Sequence, residues 1–355
     1  MNLYAIIMAG GVGSRFWPRS TKKTPKQFIQ MIGDRTLIQD TVKRLEGLVK
    51  NENIYIVTNS LQLDELKKQL NNIPFENLIE EPFGRNTAAC IGLASVIISK
   101  KDKDAVTVVL PSDHIIHDIT EFHKSILCAA NYANSSNGLV TIGINPTKPE
   151  TGFGYIQIDD RAVQDNIFRV YTFAEKPNYA TAIRFIESGD FLWNSGIFIW
   201  RTDSVINEIK GLMPDLYEGL EKIKKGLGKP DFPDLIKNVY GQLRKVSIDY
   251  GIMEKSKRVH LTKGNFRWSD VGSWEEVYNL SDKDNDGNII QGLVYTDMVI
   301  DSFIHSEDKF TAVIGVDNLV IVSSNDAVLV CRKDKSQEVK RIVDYLKINK
   351  LDQFR

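Results

Sequence analysis

An α/β fold is expected for this chain: an open sheet of parallel strands covered on both faces by helices, followed by a smaller all-β unit. Three observations lead there. The first ~145 residues alternate short β-branched or apolar runs with amphipathic helical stretches, the pattern of buried parallel strands joined by helical crossovers. A turn-rich break at "NPTKPETG" opens a less regular region. From about residue 285, short β-runs follow one another at roughly 10-residue intervals with turn residues between them.

The elements follow in order. "LYAIIM", "NIYIVT", "AVTVVL" and "LVTIGI" are the buried strands of the first part. Between them, Leu37, Ile38, Val42, Leu45 and Leu48 line one face of a helix expected over 36–48. Asn86 is placed to cap a second helix through "TAACIGLASVIIS", and 120–134 forms a third. After the break, "GYIQID", "FRVYTFAE", "GIFIW" and "RVHLT" are strands mixed with helical stretches as far as residue 265, a lobe within or continuing the same sheet. "GLVYTD", "AVIGVD", "LVIVSS" and "AVLVC" then suggest a β-appendage or the coils of a β-helix, and a last helix over 336–346 closes the chain.

Composition bounds the partners. With 355 residues the chain is long enough for one large or two modest domains. The 42% hydrophobic and 26% charged content is that of an ordinary soluble globular protein. Lys+Arg 45 against Asp+Glu 46 leaves no net field to draw nucleic acid or an anionic membrane, so neither is an expected partner and any anion site must be local. Cys90, Cys128 and Cys331 are odd in number and far apart, which indicates neither a disulfide framework nor a thiolate metal site. No basic residues precede the first apolar run, and no stretch approaches the ~20 apolar residues of a membrane span. A cytoplasmic protein is expected.

The stretch "MAGGVGSRFWPRSTKKTPKQF" directly follows the first strand. It is not the dinucleotide motif G-x-G-x-x-G, because Phe16 stands where the third glycine belongs. No Gly-Lys-Ser/Thr occurs, so it is not a Walker loop either. Gly10, Gly11 and Gly13 nevertheless let backbone N–H groups approach an anion, while Arg15 and Lys26 add a planar fork and a movable point charge. At the carboxyl end of a first strand, such a loop suits a triphosphate, with a plain strand–helix turn as the alternative.

Other motifs fall around it. "VVLPSDH" ends a strand with Asp113, and "RWSDVGSW" holds Asp270. Two aspartates with phosphate oxygens and water would complete an oxygen-only Mg²⁺ shell, a helix cap being the alternative for Asp113. "FAEKPN" sets Glu175 beside Lys176. Adjacent residues of one strand face opposite sides, so a solvated strand end competes with a paired role. In "WNSGIFIW", Asn194 and Ser195 are polar groups among aromatic faces, suited to hydroxyl binding or to a turn. "DKDNDGNIIQGL" begins like a calcium loop at Asp282, Asp284, Asp286 and Gly287. Leu293 replaces its final bidentate glutamate, and a turn is expected. His114 and His117 lack a third clustered ligand for zinc, and no G-x-S-x-G is present.

Taken together the chain resembles the mannose-1-phosphate guanylyltransferases (GDP-mannose pyrophosphorylases) of the sugar nucleotidyltransferase family. The resemblance runs from about residue 3 to 345, through "GGVGSRFWPRSTKKTPKQF", "EEPFGRNTAAC", "LPSDH", "TGFGYIQ", "FAEKP", "WNSGIFIW", "SIDYGIMEKS", "WSDVGSW" and the tail "AVIGVDNLVIVSSNDAVLVC". It implies a Rossmann-like nucleotidyltransferase domain with a mixed central sheet over 1–284, its sugar-binding lobe at about 146–265, and a short left-handed β-helix with a terminal helix over 285–355. It further implies that Gly10, Gly11, Gly13, Ser14 and Arg15 cradle the GTP phosphates, Lys26 neutralising them, with Arg85, Asn86 and Thr87 beside guanine and ribose. Asp113 and Asp270 would hold Mg²⁺. Gly154, Glu175 and Asn194 would hold the mannose, Lys176 its phosphate, and Asp249 would support the sugar site. Arg15, Lys26, Lys176 and Asp113 would be the catalytic set.

The reaction so implied is GTP plus α-D-mannose 1-phosphate giving GDP-mannose and pyrophosphate, by direct in-line Mg²⁺-assisted displacement. A homo-oligomer, a dimer, is expected. Two departures stand out. Longer relatives carry a cupin-like isomerase domain after the β-rich tail, whereas this chain ends there, so isomerase activity is not expected. Phe16 stands where the family has leucine before Trp17. The competing readings are a pyrophosphorylase for another nucleotide or sugar 1-phosphate, a non-catalytic regulatory subunit of the same fold and, third, a dehydrogenase.

Overall fold

The computed structural model describes residues 1–11 and 13–355. Its strands are β1 Leu3–Met8, β2 Ile54–Asn59, β3 Leu78–Glu81, β4 Val106–Pro111, β5 Ile115–Ile116, β6 Leu139–Ile144, β7 Gly154–Gln164, β8 Ile167–Glu175, β9 Phe191–Arg201, β10 Val259–Gly264, β11 Trp268–Ser269, β12 Ile289–Ile300, β13 Phe303–Asp317, β14 Leu319–Ser323 and β15 Val328–Arg332. Nine of them form one sheet in the order β3-β2-β1-β4-β9-β6-β10-β8-β7.

β1 pairs in parallel with β2 on one side and β4 on the other. The chain therefore reverses its direction of travel across the sheet at β1, and a crevice opens beyond the carboxyl ends of β1 and β4. The parallel order expected for the first part holds for β1 to β4, and the sheet as a whole is mixed, as the family resemblance implies. β9 runs antiparallel between β4 and β6, and β8 and β7 close that edge antiparallel, so the sheet is mixed. A fully buried run such as "GIFIW" is apolar on both faces in either direction, so its letters carry no sign of polarity.

Helices cover both faces, as the alternation requires. They are α1 Leu37–Lys43, α2 Ser60–Gln69, α3 Thr87–Lys101, α4 Ile119–Ser136, α5 Tyr179–Ser188, α6 Thr202–Leu212, α7 Pro214–Gly226, α8 Phe232–Gln242, α9 Trp274–Leu280 and α10 Lys340–Ile348. Ala5 and Ile7 of β1 face a core with Ile38, Val42, Phe122 and Ile126, whereas Tyr4 and Ile6 face one with Ile91, Leu220 and Tyr240. α1 begins as expected, with a capping box between Thr36 and Gln39, but ends at Lys43 rather than near 48. Gly47, at φ 78°, belongs to the turn that replaces its last coils. Asn86 caps α3, its side chain accepting from the Thr87 amide.

In the last part, β12, β13 and β14 pair in parallel, although only a residue or two separate them in the chain. Parallel neighbours need the chain to return to its starting edge. The return is made inside the β-runs, at corners marked by Gly292, Met298, Asp301, Gly315 and Asn318, all at positive φ. This is a coil of the β-helix type, closed by β15, which folds back antiparallel on β14. Ahead of it the calcium-like stretch is a turn. The Asp284 carboxylate accepts from its own neighbours, the amides of Asp286 and Asn288.

The β-coils do not stand apart from the rest. Phe16, Trp17, Val271, Trp274, Phe303, Val339 and Leu346 share one buried cluster, which joins the loop after β1 to the coils and α10. The Trp17 indole donates to the Phe354 carbonyl at 2.7 Å. Among the described residues no helix is long and apolar enough to cross a membrane.

Candidate active site

The loop after β1 is held open from behind. The Gln27 amide, 2% exposed, donates to the carbonyls of Ala9 and Gly11 and to Gln62, so the loop's backbone is braced by its own continuation. Around Gly10 and Gly11 no heavy atom lies within 4 Å of where a Cβ would stand, which leaves free space over the loop. Gly13 is different. It sits at φ 69°, and a Cβ there would meet the Lys26 Cβ at 2.3 Å. Only glycine lets Lys26 pass this close. Phe16 packs edge-on against Trp274, and the Lys26 ammonium lies 5.5 Å from the Phe16 ring centre.

Lys26 is 4% exposed and points to both aspartates. Its ammonium donates to Asp113 Oδ2 at 3.0 Å and to the Asp270 carbonyl. A two-residue ladder explains the meeting. β5 pairs antiparallel with β11, Ile115 opposite Ser269 and Ile116 opposite Trp268, which lays the end of "LPSDH" against "RWSD". Burial raises the Asp113 carboxyl, but the charge and the hydrogen bond of Lys26 outweigh it, and the group ends below the ordinary carboxylate range. Asp270 goes the other way. Burial, then the nearby Glu276 carboxylate, push it up to about 7. His114 is held near 4 by burial, hence neutral, and its Nδ1 accepts from the Trp268 indole.

These groups separate two adjoining hollows. A pocket of about 320 Å³ is lined by Gly13, Ser14, Arg15, Lys26, Asp113 and Lys340. A cleft of about 480 Å³ reaches from Gly10 and Gly11 past Asn86 and Thr87 to Gly154, Glu175, Asn194 and Asp249. His114 and Asp270 line both.

The far side of the cleft is a polar network. Asn194 donates to Asp249 Oδ1 at 2.8 Å, while its own oxygen accepts from the Gly196 amide. Burial raises Asp249, and the Asn194 donor opposes that. Asp249 opens a π-helical turn, Asp249–Met253, whose start is tied to α3 because Thr87 Oγ1 accepts from the Ile248 amide at 2.8 Å. A Cβ on Gly154 would lie 2.5 Å from Glu175 Oε2. The solvated strand end weighed for Glu175 and Lys176 is what the structure shows, both residues being exposed. Lys176 takes φ 49°, alternation stops there, and its ammonium meets the Glu175 carboxylate directly.

Of the residues singled out in the sequence, most line one hollow or the other, but two do not. Arg85 turns its guanidinium away, donating to the carbonyls of Tyr240 and Gly241 at the end of α8. Lys176 sits beside the cleft, held by Glu175. Sequence reasoning passed over Gln27, Glu81, Glu276 and Lys340, and weighed His114 only as half of a zinc pair. Glu81 ends β3 inside the cleft and is pushed up to about 7 by burial, the Tyr240 hydroxyl donating to it at 3.0 Å. Its neighbour Glu80 is exposed, and nothing in "EEPF" distinguishes the two.

Among the described residues no group of three or more His, Cys, Asp and Glu could hold a metal by itself. The donor set nevertheless fits a hard dication. Two carboxylates border one space, and Asp270, half-buried and pushed up to about 7, has no ion pair among the described residues, a charge cost that a bound divalent ion would relieve.

The chain matches the Nucleotidyl transferase family over residues 4–287 and the MannoseP isomerase/GMP-like beta-helix domain over 296–346. It is 40% identical over 352 residues to a mannose-1-phosphate guanylyltransferase of Salmonella muenchen, covering 98% of this chain and 74% of that protein. An Escherichia coli mannose-1-phosphate guanylyltransferase is 38% identical, with 99% and 76% covered. Among solved structures, one described as a mannose-1-phosphate geranyltransferase from Thermus thermophilus superposes with a TM-score of 0.87 at 32% identity, covering 98% of this chain and all of that one.

Proposed function

This chain belongs to the nucleotidyl transferase family as a mannose-1-phosphate guanylyltransferase, and from that premise we propose how its cleft turns GTP and α-D-mannose 1-phosphate into GDP-mannose and pyrophosphate. One observation carries the reading. Lys26, Asp113 and Asp270 meet at the junction of a cation-lined pocket and a polar cleft, where a triphosphate and a sugar phosphate would have to touch.

The chemistry asks little of the protein. The second pKa of a phosphate monoester lies near 6, so the nucleophile is already anionic at neutral pH and needs no general base. The obstacle is repulsion between two anions, together with alignment. The glycine-loop amides with Ser14, Arg15 and Lys26 receive the triphosphate. Asn86 and Thr87 face the nucleoside, and Arg85 holds their loop against α8 rather than touching the base. Gly154, Glu175 and Asn194 seat the mannose, Asp249 orients Asn194, and Lys176 faces the sugar phosphate from the rim.

Nucleotidyl transferases generally use a divalent metal, and Asp113 and Asp270 would hold it here as Mg²⁺. When bound it supplies positive charge that offsets the approach of the two phosphates. Our reading divides the chain into a catalytic unit, 1–284, with its sugar lobe at about 146–265, and a β-helical unit, 285–355. Support comes from the matched stretches, one ending at 287 and the next beginning at 296. Exposed apolar residues on the coils, among them Leu293, Met298, Phe310 and Ile314, support a homodimer. Three free cysteines suit a reducing cytoplasm.

The test is direct. The pure protein is incubated with Mg²⁺, mannose 1-phosphate and each of GTP, ATP, UTP, CTP and dTTP, and the nucleotide-sugar is measured by mass spectrometry. GDP-mannose with GTP alone is the expected result. Product with another nucleotide would overturn the guanylyl assignment, and none with any would overturn the catalytic one.

A further inference from the structure

We propose that Lys340, the first residue of α10, touches the nucleotide's phosphates, so that the C-terminal unit supplies a cation to the active site. The proposal rests on the reading of the 320 Å³ pocket as the triphosphate site. Lys340 lines that pocket together with Arg15 and Lys26, although it lies 325 and 314 positions further along the chain (340 − 15 and 340 − 26).

Three observations bear on it. First, Lys26 is buried, and its ammonium is already committed to Asp113 and the Asp270 carbonyl. Its charge offsets a carboxylate before any phosphate arrives, so the pocket's cations that face solvent are Arg15 and Lys340, both exposed. Second, among the described residues Lys340 forms no ion pair. The nearest carboxylate along the chain, Glu338, is taken by Lys335 and Arg341.

Third, the position is fixed rather than loose. Ser336, fully buried, accepts from the Glu275 amide at the start of α9, and Val339 and Leu346 are buried with Phe16 and Trp17. The residue before Lys340 is therefore clamped to the very loop that carries Arg15.

The assignment predicts an asymmetry. Pyrophosphate and GTP carry the β- and γ-phosphates, and mannose 1-phosphate does not. Lys340→Ala, Lys340→Arg and the control Lys347→Ala, an exposed lysine of the same helix, are assayed in both directions. GTP and pyrophosphate binding is followed by calorimetry, and folding by circular dichroism. In Lys340→Ala, KM for GTP and for pyrophosphate should rise about tenfold, the loss of one charge-assisted contact, with KM for mannose 1-phosphate within about twofold. Lys340→Arg should recover most of the loss and Lys347→Ala show none. Unchanged GTP and pyrophosphate constants in folded Lys340→Ala would overturn the proposal. Arg15→Ala separates the two failures. If it weakens GTP binding while Lys340→Ala does not, the pocket reading stands and the role of Lys340 falls; if neither does, the pocket reading falls with it.

Discussion

The Lys26 ammonium lies 3.0 Å from Asp113 Oδ2, a contact between residues 87 positions apart that ties the loop after β1 to the end of β4. Lys26 thereby joins the pocket proposed for the triphosphate to the two aspartates proposed to hold the metal, and losing it should affect both. Lys26→Met keeps the length of the side chain beneath Phe16 but removes the charge. Turnover should fall at least ~100-fold, the scale for deleting one preorganised charge-stabilising donor. A kcat within a few-fold of wild type would sink the assignment.

Asp113→Asn and Asp270→Asn should each weaken binding of Mn²⁺, used as a paramagnetic substitute for Mg²⁺ and counted by electron paramagnetic resonance. Turnover should be lost with the fold intact. Undiminished Mn²⁺ binding in both variants would place the metal elsewhere.

Gly13→Ala sets a Cβ 2.3 Å from the Lys26 Cβ at a φ of 69°, and backbone rather than a flexible tip must give way. A loss of about 1–3 kcal/mol in stability is expected from the strained conformation, with a drop in GTP affinity. Gly154→Ala meets only the end of Glu175, 2.5 Å away. Its damage should appear in KM for mannose 1-phosphate, with KM for GTP unchanged. Equal effects of the two variants on both substrates would contradict the separation of pocket and cleft.

Asn194→Leu keeps the bulk and removes the donor to Asp249 Oδ1. Asp249, already raised by burial, would rise further, and about 1–3 kcal/mol of stability should go with the unmet acceptor. Chemical denaturation measures this, and a variant as stable as wild type would mean the bond contributes nothing.

Glu81 supplies the pH dependence. Its folded value is pushed up to about 7, whereas an unfolded glutamate titrates near 4.3. Between those values the folded chain keeps a proton that the unfolded chain has released. This contribution is present at low pH and declines as pH rises toward 7. Glu81→Gln keeps a partner for the Tyr240 hydroxyl and cannot titrate. Its Tm should therefore gain on wild type from pH 5 to pH 8, by about 2 °C or more. Parallel curves across that range would exclude Glu81 as the titrating group.

Much of this was legible in the letters. Strand and helix alternation, the Asn86 cap and the β-runs after 285 are local matters of burial period and turn chemistry, and short segments express them without their neighbours. The glycines and cations after β1 likewise pointed to one place, and the structure gathers Gly13, Ser14, Arg15 and Lys26 around a single pocket. The direction of β9 was not legible, since a doubly buried run looks the same either way. Nor was the loss of Arg85 to the end of α8, because no pattern in "GRNTA" records where a guanidinium turns.

The sequence alone thus determined an α/β chain with a glycine-rich, cation-bearing loop, aspartates at strand ends and a β-rich tail, since each is written in neighbouring residues. Tertiary structure decided what those parts do together. The short β5–β11 ladder brings Asp113 to Asp270, a left-handed Lys176 turns its charge onto Glu175, and the Phe16–Trp17–Trp274 cluster sets α10 against the pocket lined by Arg15 and Lys26. Apart from the adjacent Glu175 and Lys176, those contacts join residues far apart in the chain. Their geometry comes from packing, which no local stretch of sequence encodes by itself.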